Sequence, residues 1–320
     1  MANYKDIHGS NIETVTSDPS NPVNGQVWYN STDQALRGLA SNPAGSWATG
    51  NDMNNARNVI AAAGIQTAAL GFSGYPASAV RNYTEEYNGT SWTEVADLNS
   101  TLAFRGGSGV KTSALCYGGQ NSGNTESWNG SSWTEVADLN QNKRFLAGSG
   151  VSNTSALAFG GNLDPPPAGL TNTELWDGST WTEVGDLNGG RLNLAGSGTA
   201  TSALAYGGGY PASALTESWN GTSWTETGDL NRARNALGGA GADNTVALAF
   251  SGEVGPKTET ELFNGSSWTE VNDRNDATYD PGGCGTTSAA VAFGGAPGTA
   301  FAKTEEWTAP TNTTVTFTVS

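Results

Sequence analysis

A tryptophan opens the same phrase six times along this chain, at Trp47, Trp92, Trp133, Trp181, Trp224 and Trp268. Five residues after each stands an aspartate (Asp52, Asp97, Asp138, Asp186, Asp229, Asp273), and seven after each an asparagine (Asn54, Asn99, Asn140, Asn188, Asn231, Asn275). Seventeen residues after each, a glycine closes a run of tiny residues, as in Ala147-Gly148-Ser149-Gly150 and Gly282-Gly283-Cys284-Gly285. Offsets that hold six times without slippage mean that one local structure is built six times. The tryptophans are spaced 45, 41, 48, 43 and 44 residues apart, a period of β repeats rather than of helical arrays.

Each repeat reads as four strands. The tiny run comes first, and glycine inside a strand marks close backbone approach, as expected of strands that converge on a central channel. A near-continuously apolar strand follows, such as Ser155-Ala156-Leu157-Ala158-Phe159, which implies burial on both faces. A third strand carries Thr-Glu and then an aromatic, and turns through Asn-Gly or Asp-Gly, the strongest short hairpin signal. The tryptophan strand is outermost, its acids suiting an edge that must not pair with other chains. Forty-four glycines in 320 residues and only 14% charged residues fit many short strands and tight turns. No window shows a capped helical period.

The predicted fold is therefore all-β, a six-bladed β-propeller closed by an N-terminal outer strand. Trp47 precedes Gly64 by the same 17 residues that link every other outer strand to the next inner one, so it belongs in the blade before the first. In a ring that is the last blade, whose segments at 282–285, 288–293 and 304–307 lack a tryptophan strand of their own. Residues 46–310 form the propeller, 1–25 an extended polar arm, and 26–45 a hairpin with its lead-in. Residues 311–320 form a final strand, which competes for the last slot, adds to an edge, or joins the hairpin.

The unit Ala-Leu-Ala-Phe-Gly-Gly, then Thr-Glu-Xaa-Trp-Asn-Gly, then a spaced Trp and an Arg, resembles the kelch repeat over residues 36–310. Two copies depart at the double glycine (Phe72-Ser73-Gly74 and Phe250-Ser251-Gly252), and the arginine stands only at Arg57, Arg144, Arg191 and Arg234. Near the N-terminus, Pro22-Val23-Asn24-Gly25-Gln26-Val27-Trp28-Tyr29-Asn30-Ser31-Thr32 resembles a phrase of structural proteins of tailed bacteriophages. Propellers rich in Thr, Ser, Asn and Gly are similar to virion proteins of marine phages.

The lone histidine, His8, lies in the arm, so no histidine metal site and no His-dependent triad can be built inside the propeller. Galactose oxidase, a kelch-type enzyme, needs histidines for its copper, and that activity is not expected. No catalytic residue, metal site or cofactor is expected. Asp177-Gly178-Ser179-Thr180-Trp181 is faintly similar to a sialidase Asp-box, which is itself a structural turn. Glu85-Glu86 and Glu305-Glu306 are consecutive on strands, point to opposite faces and read as a solvated edge. The six aspartates read as turn residues bonding nearby backbone. The arginines are read as structural salt bridges to neighbouring acids or as ligand contacts. The tryptophans are read mostly as packing between blades, with stacking on sugars the other use of an exposed ring. Cys116 and Cys284 read as buried small hydrophobes rather than a disulfide.

Lengths vary in one place. From the second strand's aromatic to the next Thr the intervals are 12, 8, 14, 10, 10 and 11, whereas the Thr-to-Trp interval is eight in all five complete copies. The loops after the second and fourth strands leave by one face, and binding residues concentrate on such loops. The candidate ligand-binding residues on that face are Tyr75, Arg81, Asn121, Leu163, Asp164, Tyr210, Glu253, Lys257, Phe301 and Lys303.

A net charge of -16 speaks against nucleic acid as a partner. No 18-residue apolar run and no signal-peptide pattern follow Met1, so neither membrane insertion nor Sec export is expected, and synthesis is expected in a cytoplasm. Two functions remain. One is a non-enzymatic phage virion structural protein (tail, fibre or capsid decoration, in multiple copies per particle). It would be held to other virion proteins through residues 1–40 and would present a host surface glycan or protein with its propeller. The other is an intracellular bacterial kelch-type scaffold for protein–protein interaction.

Overall fold

Glycine-punctuated apolar segments with alternating turn signals become strands throughout. The computed structural model describes residues 12–20, 22, 26–42, 44–76, 80–120, 122–163, 169–253, 255, 257–296 and 302–317. Among these the protein is all-β, with seven four-stranded sheets and no helix. The contacts divide it into two units, Ser46–Ala309 and Met1–Gly45 with Pro310–Ser320.

In Ser46–Ala309 six antiparallel sheets share one strand order. The first runs Ala61–Ile65, Ala68–Phe72, Thr84–Tyr87 and Trp92–Glu94, from inner to outer strand. Four more follow at 106–136, 147–183, 195–226 and 238–271. The sixth combines Gly282–Gly285, Ala289–Phe293 and Thr304–Thr308 with Ser46–Thr49, placing Trp47 opposite Trp307. The third and outer strands are joined by tight turns. Asn129 Oδ1 accepts the N–H groups of Ser131 and Ser132 at 2.9 and 3.0 Å, and Gly130 takes φ 93°. Asp177 does the same for Ser179 and Thr180, and these bonds hold its carboxyl down at about 2.

The sheets contact one another in propeller-like sequence through a small set of repeated interactions. The aromatic ending each second strand packs against the outer tryptophan of the next sheet: Phe72 with Trp133 at 5.0 Å, Tyr117 with Trp181, Phe159 with Trp224, Tyr206 with Trp268, Phe250 with Trp47, and Phe293 with Trp92. Each of those indoles donates back to the Thr that opens the previous sheet's third strand, from Trp133 to Thr84 at 3.0 Å round to Trp92 to Thr304 at 2.9 Å. These aromatics also explain the tiny runs. A Cβ on Gly148 would lie 1.6 Å from the Tyr117 hydroxyl, and one on Gly283 would lie 2.5 Å from Phe250 Cζ. The inner strand is glycine-rich because the neighbouring sheet's ring tip occupies the space of a side chain.

Charge is buried at the same junctions. The Glu of each third strand is nearly or wholly inaccessible and meets one cation: Arg57–Glu85, Arg105–Glu126, Lys143–Glu174, Arg191–Glu217, Arg234–Glu261 and Arg274–Glu305, at 2.5 to 3.2 Å. The asparagine after the previous outer strand completes the clasp. Asn140 donates its N–H and its side-chain amide to Glu174 Oε2 at 2.7 and 3.0 Å, and the amide also reaches the Trp181 carbonyl. A carboxylate so desolvated is tolerable only with such donors.

Two expectations are corrected here. Glu85 and Glu305 are fully buried ion-pair partners, not a solvated edge. A cation serves every sheet, and three sequence positions supply it. Lys143 does the work assigned to Arg144, whose guanidinium lies 5.4 Å from the Phe145 ring instead, while Arg105 and Arg274 serve the copies in which none was expected. The asparagines tie one sheet to the next. The aspartates do bond backbone. Asp97, Asp138, Asp186, Asp229 and Asp273 each accept the N–H of the Thr that opens their own sheet's third strand. Cys116 and Cys284 are free and buried, their thiols pushed up to about 12 by burial.

In the other unit, Glu13–Val15 pairs parallel to Val27–Asn30, which pairs antiparallel to Ala35–Asn42. Thr311–Phe317 adds to the far edge of Ala35–Asn42, resolving the three places left open for the tail strand. Residues 13–20, assigned from sequence to the extended arm, are fastened into this sheet. Asp18 accepts hydrogen bonds from Trp28 Nε1 at 2.9 Å, from Asn30 Nδ2 at 3.0 Å and from Arg37, which lower its carboxyl's pKa.

Candidate binding site at the channel mouth

Six tiny runs line a narrow channel. At the end where the links from the outer strands arrive, the chain does something unusual. Twelve residues after each tryptophan, a non-glycine residue takes a left-handed backbone: Val59, Phe104, Phe145, Asn193, Ala236 and Asp280, with φ from 52° to 64°. Such conformations cost on the order of 1–3 kcal/mol each and persist where surroundings enforce them. Here the turned peptides bond to one another. Val59 donates to Asp280 O at 3.0 Å, Asp280 to Ala236 O at 2.7 Å, Ala236 to Asn193 O at 2.8 Å, Asn193 to Phe145 O at 2.9 Å and Phe145 to Phe104 O at 3.0 Å.

These six side chains stand around the mouth as the wall of a cavity of about 90 Å³, with Arg105 and Leu146 among its deeper lining. The loops after the second strands are tied to it. Asn58 pairs with Tyr75, Arg144 with Asn162, Asn235 with Glu253 and Tyr279 with Ala296. The variable loops therefore frame the mouth. Further out, between the third and fourth sheets, Asn162, Gly190, Leu192, Tyr210 and Pro211 border a cleft of about 570 Å³.

The mouth has two halves. On one, Tyr75 stacks near Phe104 at 6.5 Å and 19°, and Phe104 meets Phe145 at 4.2 Å. On the other, Asn193 Nδ2 donates to the Tyr210 hydroxyl at 3.3 Å, and Tyr210 is 64% exposed. Asp280 is pushed up to about 7, first by burial and then by the charge of Glu253. Neither the Asp280 nor the Glu253 carboxylate has a hydrogen-bond donor among the described residues. Aromatic faces beside amide, hydroxyl and carboxylate groups supply stacking surface and directional polar contacts together, the combination that a saccharide ring requires.

Of the residues chosen from sequence, Tyr75, Tyr210 and Glu253 come to this mouth through Phe104, Asn193 and Asp280. Leu163 follows Asn162, which bridges to Arg144. The others described are occupied near their own loops. Arg81 donates to the Val80 carbonyl and lies 6.0 Å from the Tyr83 ring. Lys257 sits 4.0 Å from Glu259, and Lys303 sits 3.6 Å from Asp52. Asn121, Asp164 and Phe301 lie outside the described residues. Sequence reasoning missed Phe104, Phe145, Asn193 and Asp280. Their signal was a single column, twelve residues after the tryptophan, that changes type in nearly every copy inside a window of constant length.

No protein-family model matches this chain, and no curated protein matches it.

Proposed function

We propose that this chain is a non-enzymatic structural protein of a tailed-phage virion. In this reading the six sheets of Ser46–Ala309 are the blades of a kelch-like propeller, residues 1–40 hold it to other virion proteins in multiple copies, and the loop face binds a host surface glycan. The cyclic order of tryptophan-to-threonine bonds supports six blades. The observation that carries the binding function is the channel mouth. In repeats that share their tryptophan, aspartate, asparagine and closing glycine, Val, Phe, Phe, Asn, Ala and Asp occupy one equivalent ring position. Uniform packing has no need of that variety, whereas an asymmetric ligand does.

The test adds tagged protein to particles lacking the native copy and scores incorporation, then adsorption to host cells before and after periodate oxidation of surface glycans. Full-length protein should incorporate and restore periodate-sensitive adsorption. Deletion of residues 1–25 should abolish incorporation, and Phe104→Ala with Phe145→Ala should abolish adsorption alone. Adsorption indifferent to periodate would sink the glycan reading, and release of reducing ends from the glycan would sink the non-enzymatic one.

A further inference from the structure

Six times the fold buries a glutamate, and six times it supplies a cation within 3.2 Å. At the mouth it places two acids, Asp280 and Glu253, and gives neither an ion-pair partner among the described residues. Arg105, the charged group deeper in the same wall, is committed to Glu126 and to the carbonyls of Cys116 and Asn124. Arg144, beside Asn162, lies against the Phe145 ring.

We propose that the mouth receives the ammonium group of an amino sugar whose amine is unsubstituted, with Asp280 and Glu253 as its counter-charges and the Phe104–Phe145 pair as its aromatic wall. This rests on the glycan reading above and names the sugar class. An aromatic face opposite a carboxylate is the arrangement that holds an organic cation, because the ring quadrupole and the anion attract the same charge. The cavity of about 90 Å³ admits a small substituent and not a whole ring. The sugar body would then rest on the exposed faces of Tyr75 and Tyr210, which are 37% and 64% accessible. The elevated proton affinity of Asp280 has the same origin, since a partly buried, desolvated carboxylate beside a second acid lacks the positive charge that an ammonium brings. An acidic sugar is disfavoured by the same two groups. A divalent cation is a poorer fit, since no group of three or more metal-ligating side chains occurs among the described residues.

The experiment is calorimetric titration of the full chain with a glucosamine tetramer, its fully N-acetylated counterpart, a glucose tetramer and calcium chloride. It is repeated with Asp280→Asn/Glu253→Gln and with a control, Glu94→Gln/Glu135→Gln, which removes the same charge from exposed outer strands. The glucosamine tetramer should bind best. The mouth variant should lose about ten-fold or more, as removal of one side of a desolvated charge pair does. The control should change less than about two-fold, as screened surface charges do. A thermal melt establishes that the mouth variant is folded, and Asp280→Asn alone, nearly isosteric, repeats the titration. If acetylated or glucose oligomers bind as tightly, the glycan reading stands and the amine inference fails. Failure of every saccharide to bind overturns both. Equal losses in both double variants, or calcium binding abolished by the mouth variant, overturn the amine inference in favour of diffuse attraction or a metal site.

Discussion

Trp133 offers a direct measurement of what joins one sheet to the next. It is 5% exposed, packs at 5.0 Å from Phe72 of the preceding sheet and at 5.3 Å from Trp128 of its own, and donates to Thr84 Oγ1 at 3.0 Å. Trp133→Ala removes ring and hydrogen bond together and should cost about 3–5 kcal/mol. Trp133→Phe keeps much of the ring but strands the buried Thr84 hydroxyl. Thr84→Val strands the indole N–H. Each should carry an orphaned-group penalty of about 1–3 kcal/mol. In the double variant that penalty disappears, so the cycle should show a coupling of about 1–2 kcal/mol. Urea unfolding followed by far-ultraviolet circular dichroism gives all four free energies without relying on the mutated fluorophore. A loss below about 1 kcal/mol for Trp133→Ala would show that the ring is not part of a packed core. Additivity of Trp133→Phe and Thr84→Val within about 0.5 kcal/mol would mean that the indole bond contributes nothing to the junction.

Gly148→Ala places a methyl 1.6 Å from the Tyr117 hydroxyl and should cost about 1–3 kcal/mol in thermal unfolding. Tyr117→Phe should recover only part of it, because Cζ still lies 2.8 Å away, and full tolerance of the alanine would refute the ring-tip account of the glycine runs. Asp280 has a folded-state pKa of about 7, above the usual 3.8, so the folded state binds the proton more tightly between those values and stability falls as pH rises through that window. Asp280→Asn should therefore match the wild type near pH 4 and exceed it by about 1–3 kcal/mol at pH 8, measured by urea unfolding at both. Equal stabilities at pH 8 would show that neither burial nor Glu253 burdens this carboxylate.

How much of this was readable beforehand follows from what a one-dimensional pattern encodes. Interactions within one repeat, such as Asp97 on the Thr84 N–H or the Asn129 turn, keep fixed offsets and were legible. So was the pairing of Ser46–Thr49 with Thr304–Thr308, because the distance from Trp47 to Gly64 repeats everywhere else. The buried cations were only half visible. A long flexible side chain can reach one buried carboxylate from several backbone positions, so Arg105 and Arg274 serve the same role from offsets that break the pattern. Lys143 holds the position of Arg57, Arg191 and Arg234, ten residues after the tryptophan, but residue type alone points to the adjacent Arg144. The mouth was missed for the opposite reason. Variation in length marks the loops after the second strands, whereas Val59, Phe104, Phe145, Asn193, Ala236 and Asp280 vary only in identity, inside a window of constant length.

The sixth sheet borrows its outer strand from the beginning of the unit, and this sets a timetable. Trp47 donates to Thr260, 213 positions later in the chain, and Asn275 reaches back 228 positions to the Trp47 carbonyl. A ribosome adding about 5–20 residues per second leaves Ser46–Thr49 without its partner strand, Thr304–Thr308, for roughly 13–50 seconds. During that interval five sheets gain their complete sets of strands one after another, while an early tryptophan-bearing segment waits in solution. Its flanks, Asn51 and Asp52, are polar, which keeps a waiting strand from joining the wrong edge. Assembly ends when the last emerging residues capture the first, so a truncation near residue 305 would strand both ends of the unit at once.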